Sequence, residues 1–202
     1  MPKKAASSAR KTPARPADPA MALVDAALAL AEQGGWRQTT LTEIAVAAKL
    51  PLDEAYRHVS SKAAILDRLG GQIDEAMLAD GPADAEDSPR DRLFDLLMRR
   101  FDALQERRAG IAAIARDLRT DPLGSLALLP QLERSMGWTL EAAGIGATGL
   151  AGLVRVRVLG LLYLAVLRVW LRDDSDDMAA TMKALDQRLS QIEQIATSVG
   201  RG

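Results

Sequence analysis

The 202-residue sequence contains no cysteine and a single histidine. Without thiols there is neither a disulfide nor a thiolate metal site, and the composition fits a reducing cytoplasm. One histidine leaves too little material for a zinc site or a Ser-His-Asp arrangement. No nucleophile–base pair stands at a recognisable spacing, so neither an enzyme nor a resident metal or cofactor is expected. Aromatic residues make up only 3% of the chain, and the formal net charge is -1. Charge this balanced gives no global sign of a polyanion or membrane partner. No stretch alternates apolar and polar residues between turn signals, which leaves no sheet, and no repeat of fixed period occurs. With 48% hydrophobic residues, what remains is an all-α chain of one or two domains with a real core.

The rest is organised around Trp36 to Leu66. Thr40 and Glu43 form a capping box, in which a hydroxyl and a carboxylate satisfy backbone N–H groups reciprocally. Ile44, Ala45 and Ala48 give the inner face of a short helix. Lys49-Leu50-Pro51 breaks it, and proline suits the first turn of the next helix. That second helix turns Ala55, Tyr56 and Val59 to one side, and Ser60-Ser61 cap a third. Helix, tight turn, helix with small residues at the crossing predicts a helix-turn-helix. Upstream, Asp18-Pro19 starts a bracing helix carrying Leu23, Val24, Ala27, Leu30 and Ala31, and Gly34-Gly35 ends it. Trp36 is expected to plug the seam between head and body.

This stretch resembles the DNA-binding segment of the TetR family of bacterial regulators, through Thr39-Thr40, Ile44-Ala45, Ala48, Tyr56, His58, Ser61, Lys62 and Leu66. The resemblance implies a three-helix head on a larger helical body, pairing as a homodimer and binding double-stranded DNA. It gives phosphate contacts to Tyr56, His58 and Lys62, base reading to Leu52, Asp53 and Glu54, and places Thr40 at the same interface. The chain departs from the family in having Lys49-Leu50-Pro51 where Gly-Val-Ser is usual and Val59 where Phe is usual. Between Asp18 and Leu69 five basic residues face seven acidic ones, a poor charge for a duplex binder. Residues 1–17 carry Lys3, Lys4, Arg10, Lys11 and Arg15 and no acid. They read as a disordered basic arm, and they lack the apolar region of a secretory signal. Residues 18–66 then form the head and 67–202 the effector-binding and dimerisation body.

In the body, a helix is expected over Lys62 to Ala79 and another from Ser88-Pro89, with the stripe Leu93, Leu97, Phe101 and Leu104. Ile111 to Leu118 reads as a short helix closed by Asp121-Pro122, and Pro130 as a break before a helix over Leu132 to Ala143. Phe94, Met98, Phe101, Trp138, Leu161 and Tyr163 are candidates for a pocket taking a small apolar ligand or lipid. Gly144 to Gly149 spells G-x-G-x-x-G, but a helical pattern precedes it where a dinucleotide site needs a strand, so it reads as an interhelical loop. Leu150 to Leu171 is apolar on all sides and is expected to be the central buried helix. Arg155, Arg157 and Arg168 keep it short of an uninterrupted membrane span. Asp173 to Asp177 lacks the glycine and distant glutamate of a calcium loop and reads as a solvated helix start. The last helix repeats Met178, Met182, Leu185, Leu189, Ile192, Ala196 and Val199 at steps of four and three, and Met182, Leu185, Leu189 and Ile192 are assigned to a dimer seam.

A second resemblance covers the far end. Trp170-Leu171, Asp173, Ser175, Asp177, Thr181, Leu185-Asp186, Arg188 and Leu189 look like the C-terminal region of the lipid-binding accessory protein of ubiquinone biosynthesis, itself built on the TetR fold. It implies a lipid ligand and a vestigial head as the alternative function.

Overall fold

The computed structural model describes residues 16–199. The basic residues of the N-terminal arm, and the side chains of Ala196 and Val199, lie outside the described residues.

Among the described residues there are ten α-helices and no strand. Local capping explains where the head's helices begin. Helix α1 (Pro19–Gly34) starts with Asp18 accepting the Ala20 and Met21 N–H groups at 2.9 and 3.1 Å. Helix α2 (Leu41–Ala47) starts with the expected capping box, and α3 (Leu52–His58) follows Pro51. Helix α4 (Lys62–Leu78) starts with Ser61 Oγ accepting the Ala64 N–H at 3.0 Å. The inner faces of α1 to α3 meet at Leu23, Val24, Ala27, Ile44, Ala45 and Ala55, all buried.

Helix α4 leaves the head and packs on α5 (Pro89–Gln105) and α8 (Leu129–Ala142) of the body. Helix α6 (Arg108–Leu118) returns along α1. A Cβ on Gly110 would sit 2.7 Å from Leu28 Cβ, so only glycine lets these two helices come so close. Arg107 Nε also reaches Asp25 Oδ1 across the same crossing, at 3.0 Å. Asp121-Pro122 does not close a helix but opens one, α7 (Pro122–Leu126), with Asp121 Oδ1 accepting the Gly124 N–H at 2.9 Å. Pro130 is not a break either; it lies in the first turn of α8, where a missing N–H costs nothing.

The body's core holds Phe101 stacked on Tyr163, centroids 5.4 Å apart, with Trp170 at 6.2 Å from Phe101. Trp170 Nε1 donates to Gln105 at 2.9 Å. Beside them the buried Arg100 donates to the buried Asp74, which also accepts the Ser135 hydroxyl. The six residues proposed for an effector pocket therefore do not converge. Phe101 and Tyr163 are packed core, Phe94 and Met98 lie against that core, and Trp138 and Leu161 face solvent. Stacking of scarce aromatics on one another leaves no space for a ligand between them.

Two expectations for the last helices change as well. Helix α9 (Gly149–Trp170) is not buried all round: Val156, Leu159, Leu162 and Val166 turn inward, while Leu150, Val154, Val158 and Leu161 turn outward. Its most apolar 18-residue window has a mean hydropathy of 2.0, enough by length and composition to cross a membrane, yet here its inner side packs on α8 and α10 (Ala179–Val199). Conversely, the stripe assigned to a dimer seam is used within the chain. Leu185 and Leu189 are buried by α9 and α5, with Met182 and Ile192 half-buried beside them.

The connections before and after α9 are built by hydrogen bonds. Gly144, at φ 69°, ends α8, with its N–H on the Glu141 carbonyl and that of Ile145 on Leu140, both 2.9 Å. This Schellman closure needs a left-handed residue at Gly144. The G-x-G-x-x-G run is thus a helix stop, with Glu141 Oε1 accepting the loop's Ala147 N–H at 2.8 Å. Between α9 and α10, Asp173 is buried rather than solvated. It accepts the N–H and hydroxyl of Thr181, both at 2.7 Å, and those of Ser175. These bonds, led by the Ser175 hydroxyl, hold its carboxyl at about 2, below the usual carboxylate value.

Candidate nucleic-acid interface

The turn joining α2 to α3 is another Schellman closure. The Lys49 N–H bonds the Val46 carbonyl at 3.0 Å, and the Leu50 N–H bonds the Ala45 carbonyl at 2.9 Å. Lys49 takes the left-handed position, φ 58°, where glycine is the usual residue. Leu50 and Ala45 are both buried, supplying the apolar contact that accompanies the motif. The turn aims α3 so that Glu54 and Ala55 face the interior while Leu52, Asp53, Tyr56, Arg57 and His58 face out.

The seven proposed contact residues divide accordingly. Tyr56 is 71% exposed, and Leu52, Asp53 and His58 share its open side of the head. Asp53 forms an exposed ion pair with Arg57 one turn on, 3.1 Å apart, so each offsets the other's charge. Glu54 is only 8% exposed and faces inward, away from the surface where bases would be read. A seven-residue helix has too few apolar positions to show which of two adjacent acids points in. The Thr40 hydroxyl donates to Glu43 Oε2 at 2.8 Å and accepts the Glu43 N–H, so it first serves the helix start. The bonds that the Glu43 carboxylate accepts, from the Thr40 N–H foremost and then from the Thr40 hydroxyl, lower its pKa.

Lys62 is held back. Its Nζ donates to the Trp36 carbonyl and, at 3.0 Å, to that of Thr39, and lies 4.3 Å from the centre of the Trp36 ring. Burial lowers its pKa, opposed by the charges of Asp117 and Asp121. Trp36 is buried at this seam as expected. The body reaches the same place, because Asp117 Oδ2 on α6 accepts the Arg37 N–H at 2.9 Å. Arg37 and Lys49, both exposed, were not singled out from the sequence as contacts. The only signal for Lys49 is its position in a turn where glycine is usual.

A family model described as bacterial regulatory proteins of the tetR family matches residues 23–69, the segment that holds α2, α3 and the start of α4. The head belongs to the TetR family. The likeness extends over the body of this TetR-type chain. A TetR transcriptional regulator from Nitrosomonas europaea superposes with a TM-score of 0.66 at 25% identity, covering 86% of this chain and 98% of its own. A TetR transcriptional regulator from Rhodococcus sp. RHA1 gives 0.59 at 23%, covering 85% and 95%. A tetR-family regulator from Streptomyces coelicolor gives 0.56 at 17%, covering 90% and 89%. The latter two show the shared fold alone. No curated protein matches the sequence. The family match thus covers the head, and the TetR-type fold extends over the rest of the chain. Of the residues that carry the second resemblance, Asp173, Ser175 and Thr181 bond one another between α9 and α10, and Leu185 and Leu189 are buried.

Proposed function

We propose that the protein is a cytoplasmic, dimeric repressor that binds operator DNA through two copies of its head and lets go in response to a small apolar molecule. The observation that carries the DNA reading is the placement of α3. It is anchored on one side by Ala55 and Val59, and its other side offers Leu52, Asp53, Tyr56 and His58 to solvent. A helix so presented fits the major groove. In this reading Tyr56 and His58 contact phosphates, Leu52 and Asp53 meet bases, and Lys62 adds a phosphate contact while still tied to Trp36 and Thr39. Glu54 is left out of the contact set because it is buried. Arg37, Lys49 and the N-terminal arm supply positive charge that offsets the acidic excess of the head.

Pairing is assigned to the outward side of α8 and α9. Trp138, 56% exposed, and Leu161, 71% exposed, lie there with Leu150, Val154 and Val158. An apolar surface of this extent calls for a cover. Arg157, exposed on the same side and bonded to Glu133 at 3.3 Å, favours a protein partner over lipid, and a second copy supplies the same surface.

The test is binding of the purified full chain to DNA from upstream of its own coding sequence, read by fluorescence anisotropy at two salt concentrations. Affinity is expected to fall steeply with salt. Tyr56→Phe and His58→Ala should weaken binding to all sequences, whereas Asp53→Ala should change sequence preference. Absence of any salt-dependent binding to these or genomic fragments overturns the regulator reading.

A further inference from the structure

A cleft of about 300 Å³ opens where the head meets the α6–α7 corner of the body. Leu66 from the head and Leu118 and Leu128 from the body give it apolar walls. Its charged lining is Lys62 and Arg37 against Asp121. Asp121 Oδ1 accepts the Gly124 N–H that starts α7, which fixes the carboxylate at the α7 end of the cleft. The lysine lies over the Trp36 ring and keeps one donor without an acceptor among the described residues. An ammonium has three N–H donors; two of those of Lys62 go to the Trp36 and Thr39 carbonyls, and the third has no hydrogen-bond acceptor among the described residues. Burial disfavours its charged form while the charges of Asp117 and Asp121 favour it, and a further anion alongside would favour it more.

We infer that this seam cleft binds a small amphipathic carboxylate, with the acid group on Lys62 and Arg37 and the apolar part between Leu66, Leu118 and Leu128. At roughly 30 Å³ per small heavy-atom group the volume holds about ten such groups. A molecule seated there touches the start of α4 and the α6–α7 corner together, fixing the head on the body. It also takes the Lys62 N–H that a phosphate would use, so ligand and operator oppose one another. This last consequence rests on the regulator reading; occupation of the cleft does not.

The experiment is isothermal titration calorimetry of the full chain, without DNA, against sodium octanoate below its micellar range. 1-Octanol and octylamine serve as neutral and cationic counterparts. Octanoate should bind saturably, octanol more weakly and octylamine not at all. Ala127→Trp places an indole into the cleft from an exposed lining position and should lower octanoate affinity at least tenfold with unchanged circular dichroism. Lys62→Met should do likewise. The site is refuted if octanoate gives no saturable heat, if Ala127→Trp binds it as well as the wild type, or if octylamine binds as tightly. DNA binding is scored separately. A chain that takes octanoate but no DNA keeps the cleft and loses the regulator reading, and one that binds DNA but no octanoate does the reverse.

Discussion

Helices α9 and α10 follow each other in the chain and pack together, yet they meet opposite fates. The narrow stripe of α10 is closed by its own protomer: Leu185 and Leu189 disappear against α9 and α5. Arg90 at the start of α5 clamps the rim, bonding Asp186 and the Ser190 hydroxyl. Helix α9 has apolar residues on two sides, and the fold covers only one of them. Periodicity says which side of a helix is apolar, but not what covers it. A stripe narrow enough for one neighbour is satisfied within the chain, whereas a helix apolar on both sides needs a second surface.

The contrast can be broken most severely at Leu185, which is 0% exposed. Leu185→Glu places a carboxylate without a partner inside the body and should cost about 4 kcal/mol or more. In a domain of this size that lowers the melting temperature by roughly 10 °C. An unchanged melting curve would mean that α10 is not docked. Next in size is Asp173→Asn, at the junction of the two helices, which should cost about 2 kcal/mol in lost charge-assisted hydrogen bonds. The carboxyl is held at about 2 against an ordinary 3.8. Its stabilisation is therefore present in full above pH 4 and is lost as pH falls through 2. The gap between wild type and variant in urea titrations should stay constant from pH 7 to 5 and close below pH 3. A gap undiminished at pH 2 would show that the charge is not the stabilising element. The smallest effect on folding is expected from Val154→Glu with Leu161→Glu on the outward side of α9, within about 0.5 kcal/mol per site. The same pair should halve the mass seen by analytical ultracentrifugation. A dimer that survives it would place the subunit interface elsewhere.

What could be read in the sequence follows the range of the interactions. The starts of α1, α2, α4 and α5 are written in side chains within three residues of each helix end, Asp18, Thr40 with Glu43, Ser61 and Ser88. Such caps are local and need no fold to be recognised. Asp121-Pro122 carries the same signal, but only five residues of helix follow it, too few to show a periodic apolar face. The candidate site was less legible. Tyr56 and His58 lie on the open side of α3, but the inward turn of Glu54 depends on how α3 docks on α1. The engagement of Lys62 is with carbonyls 26 and 23 residues away, a relation that exists only once the head is folded. The pocket expectation failed for a related reason. Large side chains at helical spacing do not tell whether they meet each other, as Phe101 and Tyr163 do, or face solvent, as Trp138 and Leu161 do.

The lysine in the turn between α2 and α3 sets two selective pressures against each other at one residue. A side chain with a Cβ in the left-handed region costs about 1–2 kcal/mol that glycine would avoid. Lys49 keeps that strained conformation and in return leaves a cation on the exposed edge of a head with more acids than bases. Variants chosen only for a higher melting temperature would be drawn toward glycine here, and would lose positive potential from the exposed edge of the head. Under the proposed DNA-binding function, thermal robustness and attraction to nucleic acid pull in opposite directions at position 49.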